Sequence, residues 1–189
     1  MRIVAGTFRG RPLVAPKGQS TRPTADRARQ AIFNVLEHAA WSPGLAGRRV
    51  IDLFAGSGAM GFEALSRGAE FCLFIDQDAA ARAAIRHNAE ALGAPDVRID
   101  GRDVATLAAR PAAEAPFDLA LVDPPYGQGL DERALARLAA GDWLAAGALV
   151  VLERGSHDPP LAAAGFRMLD ERRWGAARVA FLRASPVAR

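Results

Sequence analysis

The sequence predicts an α/β fold built on a mainly parallel sheet. Between residues 48 and 152, strand-length apolar runs alternate with longer segments whose apolar residues recur with helical periodicity. Glycines such as Gly68 and Gly93 close these helical segments. Strands that alternate with helices are joined by crossover connections, which make the strands parallel and cover both faces of the sheet. Half of the 189 residues are hydrophobic, which is enough for a substantial core.

A short extension, residues 1–43, is predicted ahead of a catalytic domain at 44–189. Glycine and proline interrupt the first 21 residues too often for a helix, so we expect a small β-hairpin there. A helix is then predicted from Thr24, its candidate N-cap, to Ala39, because apolar residues recur with helical periodicity opposite a charged face.

The catalytic domain is predicted to alternate five strands with four helices before it reaches a hairpin tail. The predicted strands are 48–54, 71–75, 97–100, 117–122 and 148–152. The predicted helices are 59–67, 79–92, 104–110 and 131–140. In the tail, the segments 167–173 and 178–182 flank Trp174 and Gly175 with no helix between them, which predicts a C-terminal antiparallel hairpin.

Positive charge is concentrated at the N-terminus. Residues 1–30 hold seven basic groups and one acid, Asp26, whereas the remaining chain holds 17 basic and 20 acidic residues. A basic segment on a mildly acidic body is typical of a protein that contacts a phosphate backbone. We therefore expect a nucleic-acid partner, with a solvated basic terminus as the alternative.

Composition disfavours membrane and metal proteins. The chain has no run approaching the ~20 apolar residues that a membrane-spanning helix needs, so we expect a cytoplasmic protein without a membrane partner. Its single cysteine, Cys72, excludes an intramolecular disulfide and shows no metal-ligand spacing with the three histidines. We expect no metal and an organic cofactor.

A glycine-rich turn after the first strand predicts an adenosine-containing ligand. Gly56, Gly58 and Gly61 form a G-x-G-x-x-G pattern, and Asp76 ends the second strand 20 residues after Gly56. Ligands of open parallel sheets bind beyond the carboxyl ends of the strands. The same pattern also describes a dinucleotide site, so the turn alone leaves both cofactor classes open.

Each predicted cofactor residue has an expected task. We expect Asp52 to orient the charged end of the ligand, Asp76 to accept hydrogen bonds from ribose hydroxyls, and Asp103 to meet an adenine amino group. A helix N-cap is the alternative role for Asp103. The predicted cofactor-binding residues are Asp52, Phe54, Ala55, Gly56, Ser57, Gly58, Asp76 and Asp103.

The tetrapeptide Asp123-Pro124-Pro125-Tyr126 follows the apolar run 117–122 and predicts the chemistry. The prolines fix φ and contribute no donors, so neighbouring carbonyls and the Asp123 carboxylate form a cradle of acceptors for an amino group. Tyr126 is expected to stack on a base, a contact worth roughly 1–3 kcal/mol. We expect methyl transfer to an exocyclic amine, driven mostly by alignment of donor and acceptor.

These motifs together resemble a known family. The pairing of Asp-x-Phe-x-Gly-x-Gly with Asp-Pro-Pro-Tyr is similar to class I S-adenosylmethionine-dependent methyltransferases with a Rossmann-like fold. The N-terminal motifs at 1–6 and 22–29, followed by Phe33 and Asn34, resemble the bacterial small-subunit ribosomal RNA guanine-N2 methyltransferases of the RsmD type. The resemblance implies S-adenosyl-L-methionine as donor and a guanine of 16S rRNA as acceptor, within an assembling small ribosomal subunit.

Carried over by position, the resemblance implies site roles that agree with the physical interpretation. Residues 123–126 are expected to hold the target base, and Glu153 either touches that base or supports a loop. A stacked base must be splayed out to reach this pocket, which costs least in an RNA loop. The predicted RNA-contacting residues are Arg9, Arg11, Arg22, Thr24, Arg27 and Arg29.

Other functions compete with this interpretation. A DNA adenine-N6 methyltransferase uses the same tetrapeptide but needs a target-recognition domain, and a glutamine methyltransferase favours Asn at position 123. Cytosine-C5 methylation needs a cysteine nucleophile, whereas Cys72 lies in a predicted buried strand. A NAD-dependent oxidoreductase has no use for the tetrapeptide and lacks a Tyr-x-x-x-Lys motif, since Lys17 is the only lysine. A nonenzymatic RNA-binding module does not need the glycine turn.

Overall fold

The fold is known from a computed structural model that describes residues 1–16, 23–94, 96–175 and 177–185, without the side chains of 23–25. Arg22 therefore lies outside the described residues, as does the side chain of Thr24. In the described part of the chain, no helix combines the length and apolar character needed to cross a membrane.

Seven strands form one mixed sheet in the order β3-β2-β1-β4-β5-β7-β6. The strands are β1 (Arg49–Leu53), β2 (Phe71–Ile75), β3 (Val97–Asp100), β4 (Phe117–Val122), β5 (Leu144–Gly155), β6 (Phe166–Trp174) and β7 (Ala177–Ala184). The first five pair in parallel, and β7 pairs antiparallel with both β5 and β6. This confirms the predicted mainly parallel sheet with a C-terminal antiparallel hairpin.

Helices cover both faces of this sheet. They are α1 (Pro23–His38), α2 (Ala59–Ser66), α3 (Ala79–Leu92) and α4 (Leu130–Ala140), and a 3-10 turn spans Val104–Thr106. Alternate residues of each central strand enter different core clusters, as Phe74 and Leu73 do in β2. The Phe74 cluster includes side chains of α1, α2 and α3, and the Leu73 cluster includes side chains of α4.

The winding direction of the sheet reverses between β1 and β4, which are neighbours. Ligands of open α/β sheets bind at this switch point, beyond the carboxyl ends of the strands. The glycine turn follows β1 and the Asp-Pro-Pro-Tyr segment follows β4, so the topology brings the two motifs to the same edge.

Two predicted element lengths are wrong. The predicted helix 104–110 is only the 3-10 turn Val104–Thr106, because the following backbone is bonded to the end of α4. There Arg110 donates its N–H to the Gly141 carbonyl at 2.9 Å, and Trp143 Nε1 donates to the Ala108 carbonyl. The predicted strand 148–152 extends to Leu144–Gly155, because Leu144 pairs with Phe117 of β4 at one end and β7 pairs with residues 153–155 beyond the end of β4 at the other.

Element ends also differ from prediction at two turns. Helix α1 begins at Pro23, so Thr24 lies inside the first turn and is not the N-cap. Strand β1 ends at Leu53, because Phe54 adopts a left-handed φ of 59° that leaves the extended conformation. The remaining predicted boundaries agree with the structure within three residues.

The predicted N-terminal hairpin is present but short: Arg2 and Pro12 form an antiparallel bridge, and the N–H groups of Ile3, Gly10 and Leu13 donate to the carbonyls of Arg11, Ile3 and Met1, respectively. The segment between these bonds is held by α2: Thr7 N donates to the Ser66 carbonyl, and Val4 N and Ala5 N donate to the Glu63 carboxylate at 2.8 and 3.0 Å. A Cβ on Gly6 would lie 1.8 Å from the Ser66 carbonyl oxygen, so only glycine permits this approach.

Glu63 joins the N-terminal extension to the rest of the chain. Its side chain is fully buried, and besides the two backbone amides it accepts bonds from Arg29 Nε at 3.4 Å and Arg67 Nε at 2.8 Å. Ile3 and Phe33 of the extension also share one core cluster with Phe62 of α2. The division into 1–43 and 44–189 stays a prediction, and the two segments share this core.

Candidate active site

A cavity of about 600 Å³ lies at the carboxyl edge of the sheet. This volume falls in the range of small-molecule sites. Residues from the ends of β1, β2, β4 and β5 line it, and α1 and the N-terminal segment complete the wall. The predicted cofactor and base-binding residues that line it are Asp52, Phe54, Ala55, Gly56, Ser57, Asp76, Asp103, Asp123, Pro124, Pro125 and Tyr126.

Close packing explains the glycines of the turn. Gly58 has a left-handed φ of 77°, and a Cβ there would lie 2.7 Å from the Phe62 ring. A Cβ on Gly61 would lie 2.3 Å from Phe74 and 2.6 Å from Cys72 Sγ. Gly58 does not line the cavity, so its place in the structure is to turn the chain into α2 and to pack it against β2. The buried position of Cys72 confirms that it is a core residue.

Asp52 fixes the start of α2 from within β1. Its residue surface is 3% exposed, and Oδ2 accepts the Gly61 N–H at 2.9 Å. Burial raises the pKa of Asp52 well above its usual value, while the Gly61 bond opposes the increase and Asp123 and Asp76 add to it. A cationic ligand group beside these carboxylates relieves their mutual repulsion.

Asp76 and Asp103 both organise backbone turns at the cavity wall. Asp76 accepts the Gly56 N–H at 2.8 Å on one oxygen and the Asp78 N–H at 2.9 Å on the other. Asp103 accepts the Ala105 N–H at 2.8 Å, so the alternative N-cap role is observed. A carboxylate oxygen has more than one lone pair, so each Asp retains acceptor capacity toward a ligand.

The cavity is strongly acidic. Among the residues that the structure describes, the only Arg in its lining is Arg29, and its guanidinium is already paired with Asp26 and Glu63. Carboxylates concentrated in a cleft favour a cationic ligand and oppose an anionic one. The acidic residues that line the cavity are Asp26, Asp52, Asp76, Asp78, Asp103, Asp123 and Glu153. This electrostatic character disfavours the pyrophosphate of a dinucleotide.

Asp123 titrates in the neutral range. Burial raises the pKa of Asp123 to about 7, and the charge of Glu153 adds to the increase. The residue retains an exposed surface because it faces the cavity, and the protein atoms around it remove part of the hydration of its carboxylate. A carboxylate with this pKa is able to hold or accept a proton at physiological pH.

Tyr126 and Glu153 form one unit on the rim. The Tyr126 hydroxyl donates to Glu153 Oε1 at 2.5 Å, while 46% of the Tyr126 surface remains exposed. Burial and the bond to Glu153 raise the pKa of Tyr126 above its usual value, so the phenol stays protonated. Of the two predicted roles of Glu153, the structure shows support of the loop that carries Tyr126.

The predicted RNA residues differ in accessibility. Arg9 and Arg27 are exposed, and Arg27 lies between two residues of the cavity wall. Arg11 is also exposed, although its guanidinium donates to the Ala91 carbonyl of α3. Arg29 does not fit the prediction of a phosphate contact, because it is 4% exposed and paired with Asp26 and Glu63.

Sequence analysis missed Glu63 and Asn88, two buried polar residues that hold the site together. A signal existed for Glu63, which is a lone charge in the apolar α2 with Arg67 one turn later. The sequence pattern gave no signal for Asn88, because it bonds to three backbone groups of two residues that lie 31 and 74 positions away in the chain.

The family model described as Conserved hypothetical protein 95 matches residues 1–183. Ribosomal RNA small subunit methyltransferase D of Escherichia coli strain K12 is 36% identical over 153 residues, which cover 81% of this chain and 74% of that protein. The chain belongs to this RsmD-type family. The Haemophilus influenzae protein of the same name is 30% identical over 177 residues, covering 93% of this chain and 89% of that one.

A solved structure agrees with this membership of the RsmD-type family. The yhhF protein of Escherichia coli superposes on the chain with a TM-score of 0.83 at 32% identity, over 98% of each chain. The predicted Rossmann-like methyltransferase fold is thereby confirmed, and methyltransferase activity is the function that the family supports.

Proposed function

We propose that the protein transfers a methyl group from S-adenosyl-L-methionine to the exocyclic N2 of a guanine in 16S ribosomal RNA. One observation carries the proposal: an acidic cavity at the switch point of the sheet ends at the Asp123–Tyr126 rim. The names of the relatives in the RsmD-type family support a small-subunit ribosomal RNA as the substrate. The cytoplasm is the expected site of this reaction.

S-adenosylmethionine fits the residues that line the cavity. When bound, it supplies an electrophilic methyl group on a sulfonium centre. The backbone at 55–57 permits close approach of a ligand, and Asp52 and its acidic neighbours favour the positive charges of the sulfonium and ammonium groups. We assign Asp76 to accept hydrogen bonds from the ribose hydroxyls and Asp103 to accept one from the adenine amine.

At the rim, the protein has to align a poorly nucleophilic amine. The lone pair of an exocyclic amine is delocalised into the base, and acceptors on its two hydrogens favour pyramidalisation toward the methyl donor. Asp123 is the acceptor that we assign to one hydrogen, with a carbonyl of the adjoining Pro124–Pro125 segment for the other. Tyr126, held by Glu153, offers its exposed ring for stacking. The amine becomes acidic as the new bond forms, so Asp123 or water takes the proton.

The exposed arginines of the extension are the proposed RNA contacts. Arg27 is an exposed residue of α1, the helix that contributes Asp26 and Ala28 to the cavity lining, and Arg9 is an exposed residue of the N-terminal segment that contributes Met1 and Ala15. When these arginines neutralise phosphates beside the cavity, they position a splayed loop base. Such contacts do not read the RNA sequence. An assembling small subunit is the proposed particle. Adenine-N6 methylation is the alternative that the same cradle permits, because it also presents an exocyclic amine.

Thermal denaturation with cofactor analogues tests the cofactor class. S-adenosylhomocysteine at 100 times its Kd is expected to stabilise the fold by about 2.7 kcal/mol, whereas NAD at the same concentration has no effect. Stabilisation by NAD alone would contradict the proposal and support a dinucleotide-dependent oxidoreductase.

The pH dependence of methyl transfer reports on Asp123. Its pKa of about 7 means that the carboxylate form is lost as pH falls through neutrality, so kcat/KM is expected to fall about tenfold per pH unit below that value. Asp123→Asn keeps one acceptor oxygen but does not titrate, so its residual activity should be flat between pH 6 and about pH 8. A pH profile of the Asn variant that matches the native one would show that another group titrates.

Charge removal in the extension is expected to weaken RNA binding mainly at low salt. Each phosphate contact contributes about 0.7 to the slope of log K against log salt for single-stranded RNA, so Arg9→Gln with Arg27→Gln should reduce the slope by about 1.4. Arg133→Gln, which removes an exposed charge from α4, is the matched control. An unchanged slope in the double variant would exclude these two arginines as phosphate contacts.

A further inference from the structure

Asn88 is a buried polar residue of α3 that neither the cavity nor the family motifs include. It is 1% exposed, and its amide makes three hydrogen bonds. Oδ1 accepts the Val14 N–H at 2.8 Å, while Nδ2 donates to the Val14 carbonyl and to the Ser57 carbonyl, each at 2.9 Å. Because Val14 presents both a donor and an acceptor, the amide orientation is defined, and both Nδ2 hydrogens are used.

On one side, Asn88 holds the N-terminal segment against the cavity. Leu13, next to Val14, donates its N–H to the Met1 carbonyl at 3.0 Å. This bond joins the two ends of the loop formed by residues 1–13. Met1 and Ala15 line the cavity, and Met1 Sδ lies 3.7 Å from the Ser57 hydroxyl oxygen. The segment that carries Arg9 is therefore also a wall of the predicted cofactor site.

On the other side, Asn88 holds the glycine turn itself. Two side chains fix successive residues of that turn: Asp76 accepts the Gly56 N–H at 2.8 Å, and Asn88 donates to the Ser57 carbonyl. Both Gly56 and Ser57 line the cavity. Together the two bonds hold the turn in one conformation before a ligand binds. If either bond is missing, the turn has to become ordered during binding, which lowers the affinity.

We propose that Asn88 is a positioning residue for the cofactor and that it couples cofactor binding to RNA binding. The coupling rests on the proposed function, whereas the effect on cofactor binding does not require RNA. The Asn88 amide is hydrogen-bonded both to the glycine turn of the predicted cofactor site and to the backbone of the segment that bears Arg9 and Arg11. A ligand that orders the turn thereby orders the RNA-contacting segment. By linkage, RNA must strengthen cofactor binding by the same factor.

If the residue at position 88 only packed α3 onto the sheet, an apolar side chain would serve there. The neighbouring inward positions of α3 are apolar, including Ile85, Ala89 and Leu92. A polar amide among them is tolerated only because every hydrogen-bonding group is paired. Its partners are backbone groups of Ser57, which lines the cavity, and of Val14, which precedes the cavity-lining Ala15, whereas packing α3 onto the sheet would require none of these bonds.

Titration with S-adenosylhomocysteine tests the positioning role without RNA. Asn88→Ala removes all three bonds, and Asn88→Asp keeps an acceptor for Val14 but loses both donors. We expect the Kd of S-adenosylhomocysteine to rise about tenfold in both variants, and KM for S-adenosylmethionine to rise by more than kcat falls. Trp143→Phe is the control for general destabilisation, because it removes the bond to the Ala108 carbonyl in the other core cluster. A native Kd in folded Asn88 variants would overturn the proposal.

Measuring RNA affinity with and without the cofactor product tests the coupling. Saturating S-adenosylhomocysteine is expected to tighten RNA binding of the native protein about fivefold or more, and Asn88→Ala should abolish this increase. The same tightening in native protein and Asn88→Ala would overturn the coupling. A protein whose affinity for S-adenosylhomocysteine depends on Asn88 but that binds no RNA would contradict the proposed substrate and leave the positioning role intact.

Discussion

Replacing Asp123 with Ala is expected to reduce methyl transfer by about a thousandfold or more while leaving cofactor binding almost unchanged. The carboxylate is the acceptor that we assign to the target amine, and no other side chain of the Asp123–Tyr126 segment offers an anionic oxygen. Its removal leaves the glycine turn and its bond to Asp76 in place. Single-turnover kinetics and titration with S-adenosylhomocysteine measure the two properties separately.

The matched control removes a carboxylate outside the cavity. Asp96 is an exposed residue before β3 that does not line the site, so Asp96→Ala should transfer methyl groups at the native rate. If Asp123→Ala retained more than about a tenth of native kcat, the amine would not depend on this acceptor and the cradle would be wrong.

Glu63→Ala is expected to cause a large loss of stability, about 3–5 kcal/mol. The variant removes one carboxylate partner from each of two buried guanidinium groups, since the side chains of Arg29 and Arg67 are 4% and 3% exposed and, among the described residues, keep only Asp26 and Glu37, respectively, as acidic partners. It also leaves the amides of Val4 and Ala5 without their acceptor. Urea denaturation measures the free energy of unfolding, and hydrogen exchange at the two amides reports release of the N-terminal segment.

Glu70→Ala provides the comparison for Glu63→Ala, because Glu70 is an exposed acid just beyond α2. Its free energy of unfolding should stay within about 0.5 kcal/mol of the native value. A similarly small loss for Glu63→Ala would show that the buried network adds little to stability. Native exchange rates at Val4 and Ala5 would show that the other contacts of the segment hold it without Glu63.

Local patterns predicted the framework of the sheet. The strands before the glycine turn and the tetrapeptide are mostly apolar and mostly buried, and the turns that follow them contain glycines, which permit positive φ, or prolines, which fix φ. Since parallel strands align their carboxyl ends, the meeting of Asp52, Asp76 and Asp123 in one cavity followed from the predicted topology.

The elements that differ from prediction depend on hydrogen-bond partners that are distant in sequence. The N-terminal hairpin is short because the amides of Val4, Ala5 and Phe8 donate to side chains of α2, namely Glu63 and Ser66, and not to an opposing strand. Strand β5 gained residues because β7 pairs with it, and residues 107–110 lost helix to bonds with the end of α4. Periodicity describes a segment alone and contains no information on such partners.

Arginine roles were the least predictable part of the site. Arg29 lies among exposed basic residues in the sequence, yet its position on the inner face of α1 pairs it with Glu63. A count of charges predicts that Arg29 contacts RNA. The count cannot show that Arg29 is buried, because its burial depends on a partner in α2. Arg9 and Arg27 retain the exposure that a phosphate contact requires.

The most direct measurement is transfer of labelled methyl from S-adenosylmethionine to small ribosomal subunits from a strain that lacks this gene, followed by nucleoside analysis. We expect label in N2-methylguanosine at a single site of 16S RNA, and none with Asp123→Ala. Label in N6-methyladenosine or in protein would contradict the proposed acceptor, and absence of label in native protein that binds S-adenosylhomocysteine would contradict the proposed substrate.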